Sequence, residues 1–164
     1  MNKKLSDFFV LVGFILFPLF IGFLSAFFAG TDFKEFYSII SKPAFAPPSW
    51  IFGWVWTVLY IMMGIAAFLA WQKKDSSIEL EKRTKPAIAF YLLQLFLNYL
   101  WSIIFFGQRN YGLALIDIGL LWIVIILTVI SFYKISKSAA WLLIPYLLWV
   151  SFAGVLNFMI WQLN

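Results

Sequence analysis

Three sets of residues place aromatic rings and polar groups together on single helix faces. Gln94, Asn98, Trp101 and Phe105 follow at i, i+4, i+7 and i+11; Trp149, Ala153 and Asn157 at i, i+4 and i+8; Trp56 and Tyr60 at i and i+4. Residues three or four apart share a helix face. Trp and Tyr supply broad ring contact with one hydrogen-bonding handle each, and amides add donors and acceptors. Facing inward, these stripes would line an aromatic cavity suited to a flat, mostly apolar ligand with polar edges. Much other chemistry is excluded, because the chain has neither Cys nor His. There can be no disulfide, no axial haem ligation by His or Cys, and no nucleophilic Cys or Ser–His pair. A zinc site is nearly excluded, so no metal and no obligatory cofactor is expected.

The elements that carry these stripes are set by composition. Apolar types make up 64% of 164 residues, charged types 12%, and mean hydropathy is +0.95. A soluble domain averages about 25% charged residues and could not hide this much apolar surface. Five stretches reach the roughly 20 apolar residues needed to span a bilayer: about 5–28, 50–71, 86–106, 111–132 and 139–161. The expected architecture is an all-α integral membrane protein, with residues 1–164 forming a single five-transmembrane-helix bundle. Residues 73–85 read as a plain solvated connector. Residues 30–49 form a long structured loop between helices 1 and 2. There Thr31 or Asp32 can cap a short helix, and Phe33, Phe36, Tyr37 and Ile40 lie on one face. Lys42-Pro43 ends that helix, and Pro47-Pro48 stiffens the next. Such a loop reads either as a lid over the bundle or as an interfacial anchor.

Charge placement gives an orientation. The net charge of +5 forms no basic face, so no nucleic-acid partner is expected. Nine basic residues (Lys3, Lys4, Lys73, Lys74, Lys82, Arg83, Lys85, Lys134, Lys137) fall at one end, and three (Lys34, Lys42, Arg109) at the other. The positive-inside rule puts the N-terminus in the cytoplasm and the C-terminus outside.

Each residue of interest also has a plainer reading. Trp50, Trp71, Trp141 and Trp161 lie near helix ends and suit an interfacial belt. Trp56, Trp101, Trp122 and Trp149 lie deeper, where ligand contact is as good an account. Asn in a membrane helix is often glue between helices. Asp117, about two turns into helix 4, is either a proton or cation site or a structural tie to a neighbour; the tie is favoured, because no second intramembrane charge accompanies it. Pro18, Gly22, Ala26 and Gly30 on helix 1, and Gly64, Ala66, Ala67 and Ala70 on helix 2, suit close helix packing.

Three ordered motifs resemble one family, the translocator protein or tryptophan-rich sensory protein family, also called the peripheral benzodiazepine receptor family. They are KPAFAPPSWIFGWVWTVLYIMMG (42–64), LNYLWSIIFFGQRNYGLALID (97–117) and PYLLWVSFAGVLNFMIW (145–161). The resemblance covers nearly the whole chain. It implies a five-helix fold, frequent homodimers, and binding of porphyrins such as protoporphyrin IX, sterols and benzodiazepine-type ligands beneath the first loop. Carried over by motif, the ligand contacts are Trp56, Asn98, Trp101, Trp149 and Ala153, with Pro47, Pro48 and Tyr60 near the entrance. It also implies two other roles: light-dependent porphyrin breakdown, for which Trp56 and Trp149 are the catalytic candidates, and porphyrin or lipid transport. Two departures stand out. Lys42-Pro43 is followed by Ala44-Phe45 where the family often has Ser-Trp, and the sterol motif's Tyr and Lys/Arg places hold Phe158 and Gln162. The expected setting is a bacterial cell membrane, with lipid, a small flat ligand and a second copy of the chain as partners.

Overall fold

The computed structural model describes residues 3–30 and 33–164. Five of its helices are long and apolar enough to cross a membrane, and among the described residues there is no strand. The protein is a five-helix membrane bundle. Its spans are α1 (Lys3–Ala29), α3 (Ser49–Gln72), α4 (Ile78–Ser102, continued by a π turn over Ile103–Gly107), α5 (Tyr111–Tyr133), and the pair α6 (Lys137–Leu142) and α7 (Ile144–Leu163). The short α2 (Phe33–Ile39) lies in the loop after α1. Thr31 and Asp32, the expected caps of that helix, lie outside the described residues.

The lower seam between α1 and α3 is unusually close. Pro18 has no N–H, so the Phe14 carbonyl one turn earlier lacks its helical partner. Gly64 faces that carbonyl, and a Cβ added there would lie 2.5 Å from the Phe14 oxygen and 2.6 Å from Ile15 Cα. Ala66, Ala67 and Ala70 continue the tight packing, all fully buried. Glycine and alanine are what let backbones approach to this degree.

α4 starts at Ile78, eight residues before the expected start at Pro86, so much of the supposed connector is helix. The cause is local. The Ser77 side chain accepts from the Leu80 N–H as an N-cap, and Glu79–Arg83 (2.8 Å) and Glu81–Lys85 (3.2 Å) pair at i, i+4. Pro86 is accommodated two turns in. At the other end, the π turn bonds the Gln108 N–H to the Ile103 carbonyl and brings the consecutive Phe105 and Phe106 both against Trp101, at ring distances of 5.0 and 5.6 Å. Arg109, at φ 52°, then turns the chain into α5, which is capped by Asn110.

Candidate functional site

A cavity of about 480 Å³ lies in the half of the bundle nearer α2. That is within the roughly 300–1,000 Å³ common for small-molecule sites. α1 contributes Leu19, Gly22, Phe23, Ser25, Ala26 and Ala29; α3 contributes Phe52, Gly53, Trp56, Thr57 and Tyr60. Trp101, Ser102 and Phe106 close the side formed by α4 and its π turn, and Trp149 and Ala153 come from α7.

The rings brace one another. Trp56 stacks on Tyr60 at 5.5 Å and meets Tyr146 edge-on at 6.2 Å. Trp149 packs against Phe52 (5.8 Å) and Phe152 (5.5 Å). Behind the rings the polar handles are tied off. Tyr60 Oη donates to Asn98 Oδ1 at 2.6 Å, and Asn98 Nδ2 donates to Tyr146 Oη at 3.5 Å. Trp101 Nε1 donates to Asn157 Oδ1 at 3.0 Å, and Asn157 Nδ2 to the Tyr111 carbonyl at 2.8 Å. Trp149 Nε1 differs: it is buried and has no hydrogen-bond partner among the described residues. An unpaired buried donor costs about 1–3 kcal/mol, so a ligand acceptor placed here would recover that loss.

Above the cavity the loop forms a roof. Phe36 meets Phe106 at 5.4 Å, and Tyr37 meets Phe52 at 5.4 Å. Tyr37 Oη donates to the Pro47 carbonyl at 2.7 Å, and Lys42 Nζ to the Tyr37 carbonyl at 2.7 Å. Burial pushes the Tyr37 phenol above its ordinary value. The Asn164 amide pairs with both backbone groups of Ser41, accepting from its N–H at 3.1 Å and donating to its carbonyl at 2.9 Å.

Of the residues singled out by motif, Trp56, Tyr60, Trp101, Trp149 and Ala153 all line this cavity. Asn98 stands behind Tyr60, fully buried. Pro47 belongs to the roof, and Pro48 is the exposed residue preceding α3. Trp122 is outside the site: it is 41% exposed and donates to Ser151 Oγ on the outer face of α5 and α7 at 2.8 Å. Asp117 is buried, and its Oδ2 has no hydrogen-bond partner among the described residues. Gln94 and the Tyr91 hydroxyl are likewise buried without partners. Sequence reasoning missed the α1 wall. The small residues Gly22 and Ala26 suit packing, and Gly22 does sit against the Tyr60 ring; both also line the cavity.

With this geometry in view, the comparisons with known proteins decide the family. The sequence pattern described as the TspO/MBR family matches residues 14–162. The chain belongs to the TspO/MBR family. It is 44% identical over 157 residues to the tryptophan-rich protein TspO of Archaeoglobus fulgidus, covering 94% of this chain and 96% of that one. It is 37% identical over 153 residues to the human translocator protein (93% and 89%). It is 36% identical over 130 residues to the tryptophan-rich sensory protein of Cereibacter sphaeroides (79% and 77%). This TspO/MBR member is therefore an integral multi-pass membrane protein, and its relatives support a binding or regulatory role in the membrane.

Proposed function

We propose that this protein is a membrane receptor for tetrapyrroles of the protoporphyrin IX type, held by ring contact rather than by metal ligation. The observation that carries this is the largely apolar, aromatic cavity, one of whose lining residues, Trp149, has a buried indole N–H without a partner among the described residues. Such a wall favours a flat ring system over an aliphatic chain, and an unsatisfied indole donor favours a ring with acceptor atoms. Trp56, Trp101 and Trp149 supply ring contact; Tyr60, fixed by Asn98, holds one wall in position. A relative named as a sensory protein is consistent with binding that reports rather than converts.

The distribution of basic residues supports a cytoplasmic N-terminus, with the roof on the outer side. A homodimer in lipid is the expected assembly. The test is titration of protoporphyrin IX into the protein in nanodiscs, followed by Trp fluorescence. Quenching that saturates is expected, with affinity about 5- to 10-fold weaker for Trp149→Phe, the equivalent of one hydrogen bond of about 1–1.4 kcal/mol. The melting temperature of that variant should be unchanged or higher, because it removes a buried group that nothing satisfies. Unquenched fluorescence, or unaltered affinity in both Trp149→Phe and Trp56→Phe, would overturn the assignment.

A further inference from the structure

The cavity is closed above and below but not at its side. Below, Gly22 meets the Tyr60 ring, and α1 and α3 then run in backbone contact at Gly64. Above, the roof is held by the Tyr37–Pro47 and Asn164–Ser41 hydrogen bonds. Between these levels the wall that α1 and α3 share has a gap at Gly53. Four residues that line the cavity in that stretch are themselves exposed: Phe23 (65%) and Ala26 on α1, and Gly53 and Thr57 on α3. A Cβ added at Gly53 would meet nothing within 4 Å.

The depth of this gap decides what it opens onto. At 1.5 Å per residue, Gly53 and Thr57 lie about 6 and 12 Å along α3 from its first residue, and Phe23 about 9 Å from the end of α1. The hydrocarbon layer is about 30 Å thick, so the gap lies largely below the aqueous interface. Its chemistry agrees. Thr57 spends its hydroxyl on the Gly53 carbonyl of its own helix, at 2.8 Å. A polar side chain facing lipid must be satisfied internally in this way, which leaves its methyl for the opening. Phe23 stacks with Phe27 at 6.4 Å beside the gap, and both are exposed.

We propose that the cavity is loaded sideways, from the bilayer interior, through the gap between α1 and α3. Its ligands are then restricted to molecules that partition into the membrane. The identity of the ligand rests on the function proposed above; the lipid-facing portal does not.

Two measurements separate the two claims. The chain has no native Cys, so Thr57→Cys can carry a single nitroxide in nanodiscs. Relaxation by oxygen, which concentrates in lipid, is expected to dominate over relaxation by the water-soluble nickel(II) ethylenediaminediacetate. Dominance of the nickel complex would mean the gap opens to water and would overturn the portal whatever the ligand. The second measurement is stopped-flow quenching by protoporphyrin IX dissolved in the nanodisc lipid. Gly53→Phe fills the open space at the gap, and association is expected to slow by about tenfold. Tyr37→Phe with Asn164→Ala, which loosens the roof, should leave association near wild type. Unchanged association in Gly53→Phe, or faster association in the roof variant, would place the route through the roof. Absence of any quenching in the wild type would instead remove the porphyrin reading and leave the portal to be decided by the nitroxide.

Discussion

The two halves of the seam between α1 and α3 use glycine in opposite ways. In the lower half Gly64 has backbone at van der Waals distance, the Phe14 carbonyl freed by Pro18. In the upper half Gly53 has open space where a Cβ would go. One glycine closes a gap and the other leaves one open. The contrast shows how two spans can be packed backbone to backbone at one end and leave open space at the other. The tight half bears the mechanical contact, and the loose half is free to admit a ligand.

The contrast can be broken most severely at Gly64. Gly64→Leu pushes a side chain into backbone that cannot yield, and overpacking of this kind costs about 1–3 kcal/mol or more. Loss of monodisperse protein on size-exclusion chromatography is expected, with Gly64→Ala giving a smaller but measurable drop in melting temperature. Next is Asn98→Ala, which strands the hydroxyls of Tyr60 and Tyr146 between the two halves. An unsatisfied buried hydroxyl costs about 1–3 kcal/mol, which thermal unfolding should register. Asn164→Ala, in the roof, gives up two exposed hydrogen bonds to Ser41. At about 0.5–1.5 kcal/mol at most, its effect is expected as faster amide exchange at Ser41 with little change in global melting. The smallest effect belongs to Gly53→Ala, where a methyl enters open space and replaces a helical glycine. Stability is expected to rise by about 0.5–1 kcal/mol; a fall comparable to that of Gly64→Ala would erase the contrast between the halves.

The aromatic–amide stripes were legible in the sequence because polar side chains in an apolar span are few and each needs a reason. Trp56, Tyr60, Trp101, Trp149 and Ala153 stand out on that ground, and they all line the cavity. The α1 wall was not legible. Gly22 and Ala26 carry no chemistry of their own, and a small residue beside a cavity has the same signature as one beside a helix. The start of α4 was obscured because its first two turns are charged, so hydropathy hid a helix held by a Ser77 cap and two i, i+4 pairs. Trp122 shows the reverse limit. Its depth in the span matched that of the cavity residues, but depth says nothing about the direction a helix face points, and it faces outward. Asp117 marks a third limit: an acid in a span needs a partner, but sequence cannot say whether the fold provides one.

The unpaired indole N–H of Trp149 has one more use. Nine tryptophans make the emission of this protein a crowded average, yet indole vibrations shift when the ring N–H acquires an acceptor. Subtracting the Raman spectrum of Trp149→Phe from that of the wild type isolates one ring that lines the cavity. The protein thus carries a built-in optical label for occupancy, readable without attaching a dye.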